Sequence, residues 1–187
     1  MNFEDYKQCF SDILEDRITD GVYQDAQYKE YTKLNWSRQS RWMKSGVLEA
    51  DVIAFLKNIN QKMYWTVITE PWCGDAAHIV PFIELMSREN EKIEVNYELR
   101  DTAPFTIEKY LTNGAKSIPK LIVRDEHGND LLIWGPRPQQ CQLQFEEEKK
   151  QGLPMEQIKA NVQKWYNQDK GKEIQQEITS SLQNILK

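Results

Sequence analysis

One cysteine stands where the sequence could perform chemistry. Cys73 lies in the stretch T-E-P-W-C-G-D-A-A-H, at the point where an apolar strand gives way to a helix. A sulfur at a helix N-terminus faces unpaired backbone N–H groups and the positive end of the helix dipole, and both favour the thiolate over the thiol. Because the thiolate is the nucleophilic form, Cys73 is the residue that its surroundings predict to be activated.

Three residues close to Cys73 set limits on that chemistry. The carboxylate of Asp75 opposes formation of a thiolate two residues away, so the sequence leaves the direction of the net pKa shift open. Ala76 occupies the position at which a redox dithiol carries its second cysteine. His78 is not a helical neighbour of Cys73, and we interpret it as a structural or exposed histidine rather than a base.

Composition bounds the class of protein. A chain of 187 residues is long enough to bury one hydrophobic core without disulfide or metal crosslinks. Its three cysteines are too few for a disulfide framework and lack the spacing of a zinc site, so we expect reduced thiols and no metal or other cofactor. The formal charge of -5 argues against binding to a nucleic-acid backbone.

The sequence also bears on location. The N-terminus shows no signal-peptide pattern, and no run of about 18 apolar residues occurs. These features predict a cytoplasmic protein that does not enter a membrane.

One basic segment departs from the acidic balance of the chain. Within residues 29–44 the charged side chains are Lys29, Glu30, Lys33, Arg38, Arg41 and Lys44. Such a segment is typical of a solvated helix face, and the alternative is a site for an acidic partner.

Apolar periodicity predicts helices before, within and after a mixed four-stranded sheet. Two helices come first, at residues 3–14 and 28–42. The predicted order continues as a helix at 48–59, a strand at 64–69, the helix that begins near Cys73, a strand at 93–99, a short helix from Pro104 to Asn113, and a hairpin of strands at 120–124 and 131–134.

Three further helices are predicted after the segment 135–138, at residues 143–150, 154–168 and 173–187. Their apolar stripes indicate core-facing helices, and the alternative is a partner or homodimer surface. Cys9 lies on the stripe of the first helix and is predicted to be a small buried hydrophobe.

Four signals, in this order, resemble the thioredoxin family. They are Trp72-Cys73-Gly74 at a strand-to-helix turn, Pro81 eight residues after the cysteine, Ser117-Ile118-Pro119 before a strand, and Trp134-Gly135 after the hairpin. The resemblance covers about residues 47–150 and implies an α/β protein with a thioredoxin fold, similar to a group of bacterial thioredoxin-like proteins. Residues 1–46 and 151–187 are then helical extensions that complete one compact unit.

The resemblance also implies a site. Pro119 is expected to be a cis proline lying against Cys73, a bond type that is essentially confined to proline. The backbone of Ile118 is expected to pair with an extended substrate segment. The substrate-binding residues implied in this way are Trp72, Gly74, Asp75, Ile118 and Pro119.

Departures from the family pattern narrow the function. Family dithiols release their partner with a second cysteine, whose place is taken here by Ala76, and Val67 replaces the buried acid that assists this step. Cys141 falls beyond the segment 135–138, in what should be the last helix of the core. It is predicted to lie too far from Cys73 to resolve a disulfide formed there.

Two hypotheses follow. The first is a monothiol oxidoreductase, in which the Cys73 thiolate attacks a disulfide-containing protein and an external low-molecular-weight thiol resolves the mixed disulfide. The basic segment 29–44 could attract an anionic thiol such as glutathione if it folds near Cys73. The second is a binding module that holds a peptide or protein partner beside Cys73 and Pro119 without turnover.

Overall fold

A central sheet of four strands organises the chain. In a computed structural model, which describes residues 1–186, the strands are β1 (Met63–Thr69), β2 (Ile93–Leu99), β3 (Lys120–Arg124) and β4 (Asp130–Trp134). Their order across the sheet is β2-β1-β3-β4. β1 runs parallel to β2 and antiparallel to β3, while β3 and β4 form an antiparallel hairpin. The predicted mixed four-stranded sheet is confirmed.

β1 lies inside the sheet because its sequence suits burial on both faces. Trp65, Val67 and Ile68 are each at most 1% exposed. An unbroken run of aromatic and β-branched residues is typical of a strand that is covered on both sides. β1 therefore carries the chain through the core and delivers it to the turn that holds Cys73.

Seven α-helices surround the sheet within the described residues. They are α1 (Phe3–Leu14), α2 (Ala26–Ser45), α3 (Ala50–Lys57), α4 (Ala76–Ser87), α5 (Gln139–Lys150), α6 (Met155–Asp169) and α7 (Lys172–Ile185). The two N-terminal helices, the helix after Cys73 and the three C-terminal helices were all predicted. Lys187, the predicted end of the last helix, lies outside the described residues.

Two predicted boundaries are wrong. The segment expected to form a short helix after Pro104 contains one 3-10 turn, Thr106–Lys109. Phe105 takes a φ of 56°, which lies in the left-handed region, so no α-helix can pass through it. α5 begins at Gln139 rather than at residue 143, directly after Pro138 at its N-cap position.

The terminal helices share one core with the sheet. Tyr6 of α1 stacks on Tyr97 of β2 with ring centroids 5.6 Å apart, and its hydroxyl hydrogen bonds with the hydroxyl of Thr69. Near the other end of the chain, Gly171 lies against the ring of Phe82 in α4. α4 is thus packed against α2, α7 and the sheet at once. Both terminal segments therefore help to hold the helix that begins beside Cys73.

We predict that Gly171→Ala destabilises the protein by about 1–3 kcal/mol. A Cβ at this position would lie 2.4 Å from the Phe82 ring, and the residue has a φ of +79°. Gly152→Ala is the matched control, because Gly152 has a φ of +75° and nothing within 4 Å of the added atom. The free energy of unfolding in urea should fall more for Gly171→Ala than for Gly152→Ala. Equal losses would contradict the packing of α7 on α4.

Candidate functional site

The motif around Cys73 forms the turn between β1 and α4. The Cys73 N–H donates to the Glu70 carbonyl at 3.0 Å, and the Cys73 carbonyl accepts from the Ala77 N–H at 3.2 Å. The second bond belongs to the first turn of α4. Cys73 therefore stands at the helix N-terminus, as the sequence predicted.

The thiol of Cys73 lies against the segment that precedes β3. The Ile118–Pro119 peptide bond is cis, as expected. The Cys73 Sγ donates to the Ile118 carbonyl at 3.5 Å. Cys73 and Ile118 are only 7% and 6% exposed, so both lie just beneath the surface. The structure thus brings together the two halves of the predicted site.

Burial decides the protonation of Cys73. Its pKa is raised to about 12, first by burial and then by the negative charge of Asp75. Backbone N–H groups at Ala76 and Asp75 and the charge of Arg137 act in the opposite direction. The helix N-terminus therefore favours the thiolate as predicted, but its effect is smaller than the loss of solvation. The direction that the sequence left open is upward, and Cys73 is a neutral thiol at pH 7.

Asp75 is held by two partners from the C-terminal half of the chain. Its carboxylate forms an ion pair with Arg137 at 2.8 Å and accepts a hydrogen bond from the Tyr166 hydroxyl at 2.9 Å. The Asp75 and Arg137 side chains are only 13% and 18% exposed. A pair this shielded from water is screened less than a surface ion pair. Asp75 therefore keeps a defined position beside the thiol.

Arg137 is a site residue that sequence reasoning missed. It follows Gly135, whose φ of +109° and close approach to the Pro119 carbonyl exclude a side chain: a Cβ there would lie 2.4 Å from that oxygen. The turn thus packs on the cis proline and directs Arg137 toward Asp75. The sequence shows the segment Gly-Pro-Arg-Pro at 135–138 but assigns Arg137 no role, because nothing local indicates where its guanidinium goes.

Cys141 lies within electrostatic reach of Asp75 and Arg137. It is fully buried in the first turn of α5, and burial and the charge of Asp75 raise its pKa to about 12. That it is too far from Cys73 to resolve a disulfide there stays a prediction. All three cysteines are free. Cys9 was predicted to be a small buried side chain, but it is only partly buried, and its thiol donates to the Asp5 carbonyl.

Helices outside the sheet hold the motif from both sides. On α2, the Asn35 amide donates to the Pro71 carbonyl at 3.0 Å, and the Tyr28 ring lies edge-on to Trp72 with centroids 5.6 Å apart. On α6, the Gln163 amide nitrogen lies 3.3 Å from the position that a Cβ on Gly74 would take. The motif around Cys73 is therefore packed between α2 and α6.

His78 is structural, one of the two roles the sequence left open for it. The Trp42 indole N–H donates to its Nδ1 at 2.9 Å, so the proton of the neutral ring is on Nε2, which lies 2.8 Å from Gln163 Oε1. Burial lowers the pKa of His78 to about 4, so it carries no charge near pH 7. It is a link between α2, α4 and α6.

Glu70 is a second residue that the sequence analysis did not single out. Its side chain is 4% exposed and accepts a hydrogen bond from the Asp101 N–H at 3.0 Å. Burial raises its pKa to about 7. The sequence shows Glu70 only as an acidic residue between a buried strand and Pro71. Whether its side chain is buried depends on α1 and on the residues after β2, which the local sequence does not specify.

Comparisons with known proteins agree with this geometry. A family model described as Thioredoxin matches residues 21–150. A protein of unknown function from Pseudomonas aeruginosa is similar in structure, with a TM-score of 0.59 and 15% identity over 98% of this chain and 92% of that one. An HIV epitope scaffold is similar as well, with a TM-score of 0.58 and 16% identity over 98% and 99% of the two chains. At these identities the structural likeness concerns the fold alone.

No curated protein matches the chain. Within residues 1–186, no cluster of three or more His, Cys, Asp or Glu side chains could hold a metal ion. No helix in that part of the chain has the length and apolar character needed to cross a membrane.

The pH dependence of Cys73 alkylation should show no plateau near neutrality. In protein carrying Cys9→Ser and Cys141→Ala, the iodoacetamide rate should rise about tenfold per pH unit from pH 7 to 10, because only the thiolate reacts. In the same background, Asp75→Asn should raise the rate at pH 8 about tenfold, since it removes a charge that opposes the thiolate. Tyr166→Phe, which removes a hydrogen bond without a charge, is the control. A plateau below pH 8 in the parent would contradict the assignment.

Glu70 should make the protein less stable as the pH rises. Its pKa is about 7 in the folded state against 4.5 for the free side chain, so the folded state binds the proton more tightly between these values. The free energy of unfolding should therefore fall by about 3 kcal/mol from pH 4.5 to 8 through this group. Glu70→Gln should remove that part of the fall in urea unfolding at pH 5 and pH 8, whereas the exposed Glu126→Gln should not. An unchanged pH profile in Glu70→Gln would refute this role.

Proposed function

Since the chain belongs to the thioredoxin family, we propose that it exchanges thiols and disulfides through Cys73 alone, with an external thiol completing each cycle. One observation carries the proposal: the free Cys73 thiol lies 3.5 Å from the Ile118 carbonyl, beside the cis bond to Pro119. Ala76 leaves the motif without a second sulfur. The motif itself therefore cannot release a bound partner.

The backbone next to Pro119 supports binding of an extended segment. Within the described residues, the Ile118 N–H has no hydrogen-bond acceptor. A strand-like substrate segment could accept from this group and so lie alongside Cys73. Trp72, Gly74 and Asp75 border the same place and would contact the residues on either side of the substrate disulfide.

The exchange has two steps. Cys73 loses its proton to solvent, and the thiolate attacks one sulfur of a protein disulfide; the S–S bond breaks and the other sulfur leaves as a thiolate. An external thiolate then attacks the partner sulfur of the mixed disulfide, and Cys73 leaves and takes up a proton. The partner ends as a mixed disulfide with the small thiol, so atoms and electrons balance without a further oxidant. A reducing compartment such as the cytoplasm would supply that thiol.

The high pKa of Cys73 makes both steps slow. Little thiolate is present at pH 7 to attack a disulfide, and a thiolate of high basicity is also a poor leaving group. A mixed disulfide at Cys73 would therefore persist until a suitable thiol arrives. We propose retention of a partner, rather than rapid turnover, as the outcome of this chemistry.

A second candidate function is a binding module without redox chemistry. Its support is that Cys73 is 7% exposed and that Asp75 opposes its ionisation. In that case the same backbone edge would hold a peptide or protein partner non-covalently, and the cysteine would serve only as a small buried side chain.

A neutral disulfide separates the two candidates. Folded protein with Cys9→Ser and Cys141→Ala should gain one hydroxyethylthio group at Cys73 from 2-hydroxyethyl disulfide, and the adduct should outlast removal of the reagent. Intact-mass spectrometry with peptide mapping measures this. Modification only after unfolding would exclude exchange and leave the binding module.

A restored second sulfur provides the complementary test. Ala76→Cys places a thiol in the first turn of α4, where it can attack the mixed disulfide and release the partner. The adduct should then be short-lived, and the variant should reduce insulin in the presence of a dithiol. Ala76→Ser, of nearly the same size, should do neither. An Ala76→Cys protein that forms the internal disulfide but remains inactive would indicate a groove closed to protein substrates.

A further inference from the structure

Two guanidinium groups on α2 lack a counter-charge. Arg38 is partly buried and Arg41 is exposed, and neither forms an ion pair within residues 1–186. Their hydrogen-bond acceptors are the neutral amides of Asn35 and Asn167. Burial, and then the charge of Arg41, lower the pKa of Arg38. Two neighbouring cations are thus held together without an acid in a chain whose net charge is -5.

Hydrogen bonds connect Arg38 to the motif. The Arg38 Nη1 donates to Asn35 Oδ1 at 2.9 Å, and the Asn35 amide in turn donates to the Pro71 carbonyl at 3.0 Å. Pro71 stands two residues before Cys73. The basic segment at residues 29–44 therefore approaches the loop that carries Cys73.

Arg41 lies on the same side of the motif. Its Nη2 donates to Asn167 of α6 at 2.6 Å. Both arginines also act electrostatically on His78, whose Nε2 is bound to Gln163. Gln163 is the α6 side chain that approaches Gly74. The surface between α2 and α6 at the motif is thus flanked by cations.

Further lysines lie on the two helices that border this surface, which we call the α2–α6 seam. Lys33 on α2 and Lys164 on α6 are exposed and form no ion pair within residues 1–186, whereas Lys159 pairs with Glu156 at 2.7 Å. Glu30 is the one acid of the segment 29–44. A guanidinium binds carboxylate, sulfonate or phosphate oxygens with directed hydrogen bonds. The α2–α6 seam, which adjoins the loop of Cys73 through Asn35 and Pro71, is therefore suited to a small anion.

We propose that Arg38 and Arg41 receive the anionic group of the external thiol, so that the thiol which releases partners from Cys73 is a small acidic one. The inference rests on the proposed exchange at Cys73. With the anion between the two arginines, the thiolate of the same molecule attacks the partner sulfur, the mixed disulfide breaks, and Cys73 leaves. The chemical class is a short thiol that carries a carboxylate or a sulfonate.

Three thiols with one carbon skeleton test the charge alone. They are 2-mercaptoethanesulfonate, 2-mercaptoethanol and cysteamine, which carry a negative, a neutral and a positive group on ethanethiol. Each releases the hydroxyethylthio adduct of Cys73, and each rate is divided by its rate with the same adduct of a short cysteine peptide. This division removes the intrinsic reactivity of each thiol. Intact-mass spectrometry follows the release.

The normalised rate should favour the sulfonate over the ammonium compound by about tenfold at low salt, and the preference should shrink in high salt. Arg38→Gln with Arg41→Gln should remove most of it, while Arg38→Lys should retain much of it. Lys44→Gln is the matched control, because it removes one charge from an exposed position elsewhere on α2. Equal denaturation midpoints would show that the variants are folded.

The outcomes separate this inference from the proposed function. An adduct that all three thiols release without preference by charge, or a preference that survives Arg38→Gln with Arg41→Gln, overturns the inference and leaves exchange at Cys73 intact. Failure to form the adduct on folded protein overturns the exchange, and the inference with it. A sulfonate preference that depends on the two arginines supports both.

Discussion

The ion pair between Asp75 and Arg137 is the interaction on which the site depends. It joins the thiol turn to the segment that packs on the cis Pro119, and the Tyr166 hydroxyl adds α6 to the same carboxylate. Three segments that are far apart in the chain thus meet within two residues of Cys73. Because both charged side chains are largely shielded from water, loss of either one would leave its partner poorly solvated.

The chemistry of Cys73 follows from a competition between two consequences of its position. The end of a helix offers N–H groups that stabilise a thiolate, but the packing that positions the sulfur against Ile118 also removes the water that would solvate it. Asp75 adds to the second effect and Arg137 to the first. The result is a protonated thiol at neutral pH.

The helices outside the sheet take part in the site. α2 supplies Asn35 to the motif backbone, and α6 supplies Gln163 to His78 and to the edge of Gly74. The match to the family model begins at residue 21, and the similar structures extend over nearly the whole chain. α2 and α6 are thus integral to the surroundings of the motif, and α2 also brings the uncompensated charge of Arg38 close to the loop that carries Cys73.

The sequence by itself determined the strand-to-helix turn at Cys73 and the strands of the mixed sheet, because each depends on local periodicity. The pairing of the thiol with Pro119 was available only through the resemblance to the thioredoxin family, since the two residues are far apart in the chain. The sequence did not reveal the direction of the Cys73 pKa shift, the role of Arg137, the interaction of Cys141 with the charge of Asp75 or the burial of Glu70. Each of these depends on the environment created when distant segments pack. Desolvation and the distance between charges are properties of that packing, so only the tertiary structure decided them.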